Sequence, residues 1–131
     1  MKNHSAFEAH FNRNKISLTG RFTYHDMDTA NALFQQILEH ANGLGKYENL
    51  EVSFFADYYC TWMRKRLVMM FDSLAEVNRS DNKCFVNVVW CFEFDDEDLF
   101  ELGEVLAEHS GLPVKFLSLD NEMLTDFRKS A

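Results

Sequence analysis

Two spacings alternate along the chain. Over residues 15–22 (K-I-S-L-T-G-R-F), Ile16, Leu18 and Phe22 alternate with polar neighbours, the period of a strand. Ala30, Leu33, Phe34, Ile37, Leu38 and Ala41 then follow at intervals of three and four, one apolar stripe of a helix. Asp26 or Asp28 stands where a cap belongs, and Gly43 where a left-handed terminator belongs. Residues 50–56 (L-E-V-S-F-F-A) predict a second strand, buried on at least one face. A second helix starts near Cys60 or Thr61, its stripe being Met63, Leu67, Met70, Phe71, Leu74 and Val77. Residues 78–82 (N-R-S-D-N) have turn chemistry.

Residues 84–94 (C-F-V-N-V-V-W-C-F-E-F), rich in β-branched and aromatic side chains, predict a third strand. The run Asp95, Asp96, Glu97, Asp98 opens a third helix with Leu99, Leu102, Val105 and Leu106 facing inward; Gly111 and Pro113 end it. Residues 114–119 predict the last strand. Residues 120–129, with Met123, Leu124 and Phe127, predict a short terminal helix. Residues 1–13 fit either an added edge strand or a loose end. The order β-α-β-α-β-α-β predicts an α/β fold with a four- to five-stranded, mostly parallel sheet and right-handed crossovers. With no repeat or internal linker, residues 1–131 are expected to form one domain.

Composition narrows the function. Thirteen Phe against five Gly and one Pro supply a core and argue against disorder. A formal net charge of −8 repels phosphate backbones and anionic bilayers, so neither nucleic acid nor membrane is the expected partner. No apolar run approaches the roughly 18 residues of a span, and no secretory signal is visible, so a cytoplasmic location is expected. Cys60, Cys84 and Cys91 are odd in number and widely spaced, which reads as reduced thiols. The histidines are scattered, so no metal and no cofactor are expected. No Gly-rich phosphate loop, G-x-S-x-G elbow or H-E-x-x-H is present, and His25 has no nucleophile motif to serve; the chain is not expected to be an enzyme.

Three clusters could carry function. Thr61 precedes Arg64, Lys65 and Arg66, bases whose sign is wrong for a helix N-terminus. A phosphate on Thr61 would bring about −1.5 to −2 charges to free backbone N–H groups and to Arg64 or Lys65. Equally, Thr61 could be a plain capping residue and the bases a solvated face. Asp95, Asp96, Glu97 and Asp98, with Glu93, form either a patch for a basic partner or ordinary dipole-matching first-turn carboxylates; the spacing is not that of an EF-hand. Tyr58, Tyr59, Trp62 and Met63 flank Thr61 and are either a recognition patch or core, Met63 being part of the helical stripe.

The sequence resembles STAS-like anti-sigma-factor antagonists in I-S-L-T-G-R-F (residues 16–22), and in a second strand leading to a helix that opens with a hydroxyl residue. It is more closely similar to the SiaC family of bacterial regulatory phosphoproteins. That likeness runs through residues 60–65 (C-T-W-M-R-K) and 88–98 (V-V-W-C-F-E-F-D-D-E-D). It continues through Glu101–Leu102–Gly103–Glu104 and 111–116 (G-L-P-V-K-F), about residues 15–119 in all. Cys60, Trp62 and Met63 depart from the family's Asn and two Ser. The resemblance implies a STAS-like fold and a partner switch. In it Thr61 is phosphorylated by a serine/threonine kinase of histidine-kinase-like fold and restored by a PP2C-type phosphatase. The unmodified form binds and activates a diguanylate cyclase, linking the chain to cyclic-di-GMP and biofilm control. Arg64 and Lys65 are then the anion partners, and Tyr58, Trp62, Met63, Asp95, Asp96, Glu97 and Asp98 the docking surface. The alternatives are a constitutive docking module without phosphorylation and a small-molecule binder or enzyme built on the aromatic strand 85–94.

Overall fold

The computed structural model describes residues 7–23, 25, 27–81 and 83–120. Along them run β1 (Phe7–Asn12), β2 (Lys15–Phe22), α1 (Met27–Asn42), β3 (Asn49–Tyr59), α2 (Thr61–Arg79), β4 (Phe85–Glu93), α3 (Glu97–Ser110) and β5 (Val114–Leu119). The sheet order is β1-β2-β3-β4-β5. β1 pairs antiparallel with β2 through a tight turn, and every later pair is parallel. The predicted α/β order therefore holds, and part of the N-terminal stretch is the added edge strand. The terminal helix expected beyond Asp120, and Asp26 as a cap, lie outside the described residues; Asp28 sits in the first turn of α1.

From β2 onward each strand is a parallel neighbour of the next, so the crossovers stack α1, α2 and α3 on one face of the sheet. Their stripes share a core with Ile16, Leu18, Phe54, Val88 and Trp90. Through that core runs a ladder of rings: Phe7 on Phe22 at 4.6 Å, Phe22 on Phe54 at 5.4 Å, Phe54 on Trp90 at 4.6 Å. Phe71 of α2 meets Trp90 edge-on at 5.9 Å, and the indole Nε1 donates to the Leu99 carbonyl at 2.8 Å. Ring pairs of this kind add about 0.5–1.5 kcal/mol each beyond area burial. The ladder fixes β1 to β4 side by side and anchors α3 to β4 at the carboxyl ends of the strands.

Three details differ from expectation. β3 runs three residues past Ala56, because β2 resumes pairing after a register shift at Gly20/Arg21, with Arg21 opposite Tyr58 and Phe22 opposite Tyr59. Gly43 is not left-handed; its N–H closes α1 on the Glu39 and His40 carbonyls at 3.1 and 3.2 Å, whereas Gly111 (φ 79°) does terminate α3. Val105 is exposed, because it lies off the stripe set by Leu99, Leu102, Gly103 and Leu106.

The end of α2 is tied to β4 by one side chain. Asn78 Nδ2 donates to the Val86 carbonyl at 2.8 Å, and Asn78 Oδ1 accepts from the Val86 N–H. Asn78→Ala strands both backbone groups and is expected to cost about 1–2 kcal/mol in urea unfolding; an unchanged midpoint would mean water replaces the amide without loss.

Candidate functional site: the mouth of helix α2

The site forms where β3 hands over to α2. The Cys60 N–H donates to the Phe22 carbonyl at 3.1 Å, which stops β3 and sets the start of the helix. Cys60 occupies the N-cap position, and its side chain makes no capping bond. Thr61 is thus the first residue of the helix and not its cap, which corrects the capping reading. Its side chain is exposed, and no partner holds the hydroxyl among the described residues. The first turn of α2 carries no acidic residue, so its positive end is not neutralised from within the helix.

Thr61 lines a shallow cleft of about 320 Å³ with Asp57, Tyr58, Tyr59, Arg64, Asp96 and Asp98. The carboxylates come from elsewhere in the chain. Asp96 caps α3, accepting from the Leu99 N–H at 3.1 Å, and Asp98 follows in the first turn. The mouths of α2 and α3 are therefore neighbours at the carboxyl ends of the parallel strands. Burial pushes the Tyr59 hydroxyl's pKa up; the nearby Arg64 charge pulls it down, and Asp98 and Asp96 push it up again. Among the described residues one guanidinium thus lines the cleft with three carboxylates, a more acidic setting than the sequence run Arg64–Lys65–Arg66 implies.

The other predicted residues separate. Lys65 is exposed but does not line the cleft. Arg66 turns away, its guanidinium over the Trp62 ring at 5.2 Å and donating to Met69 Sδ at 3.6 Å. It lines a groove between α1 and α2 with Phe34, Leu38 and Met69. Trp62 is half-buried against the core. Met63 is 0% exposed, so its place in a docking surface is withdrawn: the helical stripe that includes Leu67 and Met70 points it into the core. Tyr58 is 47% exposed, with the Arg21 guanidinium 5.5 Å from its ring. Asp95 and Glu97 are exposed beside the cleft's Asp96 and Asp98. Sequence reasoning missed Phe94, which the strand pattern absorbed; it leaves the sheet in the turn after β4 and is 76% exposed. Its signal was its place next to four acidic residues, where no buried face continues.

Among the described residues no group of His, Cys, Asp and Glu side chains is arranged to hold a metal ion. No helix of the described residues is long and apolar enough to cross a membrane. An exposed threonine at a helix mouth, with charged side chains and the exposed Tyr58 beside it, is the candidate site of this α/β domain. The chain belongs to the SiaC family of regulatory phosphoproteins, whose family model matches residues 2–119. No curated protein matches it. Its fold is similar to a chain in the crystal structure of the diguanylate cyclase SiaD in complex with its activator SiaC from Pseudomonas aeruginosa. That match has a TM-score of 0.72 and 15% identity, over 90% of this chain and 96% of that one. Apo-SiaC from the same organism matches with a TM-score of 0.70 and 15% identity, over 89% and 94%.

Proposed function

We propose that this chain is a cytoplasmic partner switch without catalysis of its own, which binds and activates a diguanylate cyclase and is released by phosphorylation of Thr61. The observation that carries the reading is the exposed Thr61 hydroxyl, without a partner among the described residues, at the first position of α2 in a chain of a phosphoprotein family. A kinase of histidine-kinase-like fold supplies the phosphate and a PP2C-type phosphatase removes it. Arg64 is the cation best placed to meet the phosphate, with Lys65 one residue further on. Tyr58, Trp62, Phe94 and the acidic run 95–98 frame the docking surface. The dianion would arrive among Asp57, Asp96 and Asp98, so like-charge repulsion would act on the α3 mouth as well as on any partner seated there.

The same three carboxylates favour a second reading, a docking module that is never phosphorylated and binds constitutively. Incubation with the serine/threonine kinase of its gene neighbourhood, read by intact mass, tests the first. One added phosphate is expected on the wild type and none on Thr61→Ala. Equal phosphate on both, or none on either, sinks phosphorylation at Thr61.

A further inference from the structure

The outer edge of β1 carries a second observation. β1 has β2 on one side and no described strand on the other. In an antiparallel ladder alternate residues point their N–H and C=O groups at the partner strand, and those between them point away. Part of the β1 backbone therefore faces outward with no ladder partner among the described residues. Its register with β2 runs unbroken from Phe7 to Asn12, and the segment F-E-A-H-F-N has no Pro, Lys or bulge to blunt the edge. The opposite edge strand, β5, has Pro113 before it and Lys115 within it.

The side chains of β1 decide what this edge accepts. Phe7 stacks on Phe22 in the core and Phe11 lies 5.8 Å from the His40 ring of α1, so Phe7, Ala9 and Phe11 face the helices. Glu8 and His10 share the other face, 3.4 Å apart. A second copy of β1, antiparallel and related by a two-fold axis through the sheet, keeps helix face beside helix face. Opposed residues must then both be odd-numbered or both even-numbered. One such register sets Glu8 against the partner's Glu8, and like charges directly opposite destabilise. Another sets His10 against the partner's His10 and leaves Glu8 opposite Asn12. The register between them puts Ala9 on the axis, Glu8 opposite the partner's His10 and Phe7 opposite the partner's Phe11, so charge and aromatic pairs both form twice. The partner's Phe11, 37% exposed in the single chain, then continues the ring ladder that starts at Phe7 and Phe22. A groove of about 500 Å³ between β1 and Thr29, Ala32, Leu33 and Gln36 of α1 leaves room for it.

We propose that two copies of this chain pair through β1, antiparallel about Ala9, joining their two five-stranded sheets into one. None of the residues lining the Thr61 cleft lies on β1, so the strand contact uses none of them and the assembly carries two such clefts.

Sedimentation of the full chain, from micromolar to submillimolar protein, tests it first. A reversible dimer is expected, and a monomer throughout would overturn the proposal. His10→Glu sets glutamates opposite one another twice over and is expected to raise the dimer's dissociation constant at least about tenfold. Glu8→Lys/His10→Glu restores opposite charges and is expected to return it to within about threefold of wild type. A dimer untouched by His10→Glu, or one that the double variant does not restore, counts against the pairing. The residue on the axis gives a reading that needs no weakened variant. Opposed antiparallel residues have Cα atoms about 4.5–5.5 Å apart, within the reach of a disulfide. Ala9→Cys is therefore expected to link two chains through residue 9 under mild oxidation, the native Cys60, Cys84 and Cys91 being buried. In Glu8→Cys the two thiols sit two residues apart along the strands, about 7 Å, as well as across them, and should stay unlinked. A link in Glu8→Cys with none in Ala9→Cys, or none in either, would overturn the pairing about Ala9.

Discussion

Trp90→Ala is expected to cost about 3–5 kcal/mol, a large share of the roughly 5–15 kcal/mol that holds a domain of this kind together. The indole is completely buried, stacks on Phe54, meets Phe71 edge-on and closes a hydrogen bond to the Leu99 carbonyl. Removing it opens a cavity and takes the indole donor away from the Leu99 carbonyl at the start of α3. The same contact can be probed from the other side. A Cβ on Gly103 would stand 2.5 Å from Trp90 Cδ1 and Nε1 and 2.8 Å from Cε2. Because the ring is pinned by its stack and its hydrogen bond, α3 has to lift. Gly103→Ala is therefore expected to destabilise by about 1–3 kcal/mol, even though alanine favours a helix over glycine by about 1 kcal/mol. In Trp90→Phe, which vacates the space of the larger ring, Gly103→Ala should cost less than in wild type. Urea unfolding of the two single variants and the double measures this coupling; additive costs would mean that α3 and the indole do not press on one another.

That contact shows what was and was not legible in the sequence. The local signals were enough for the elements: strict alternation for β2, three-and-four spacing for α1 and α2, the acidic run and Gly111 for the two ends of α3. Gly103 was visible only as part of a family-like motif; its reason is the approach of α3 to Trp90, a pairing between elements that spacing does not encode. Tyr58 and Tyr59 looked like a junction because their strand character comes from pairing with Arg21 and Phe22 across the sheet. The site was half legible. Thr61 and Arg64 share one helical turn and could be placed together, but the walls contributed by Asp57, Asp96 and Asp98 meet them only through the sheet order. Hence the run of bases left an anion site and a solvated face both open, whereas the described lining of the folded mouth is predominantly acidic.

The acidic mouth sets the second large effect. Thr61→Glu is expected to weaken binding to the proposed diguanylate cyclase partner at least about tenfold, some 1.4 kcal/mol, whereas Thr61→Gln, similar in size and uncharged, should stay within about twofold. The glutamate brings one more negative charge to a cleft whose described lining holds three carboxylates and one guanidinium. A real phosphate brings more, about −1.5 to −2, so the modified protein should bind more weakly than the mimic. Charge as the cause has its own signature. Raising ionic strength from about 0.01 M to 0.15 M shortens the screening length from roughly 30 Å to 8 Å, and the gap between Thr61→Glu and Thr61→Gln should narrow with it. Asp96→Asn should narrow it too, because asparagine keeps the α3 cap on Leu99 while removing one carboxylate. Titration of each variant by calorimetry at two salt concentrations reads all of these together. Tight binding by Thr61→Glu at both salts would transfer the case to the constitutive docking module. A loss equal in Thr61→Glu and Thr61→Gln would put the effect down to the shape of the helix mouth and not to its charge.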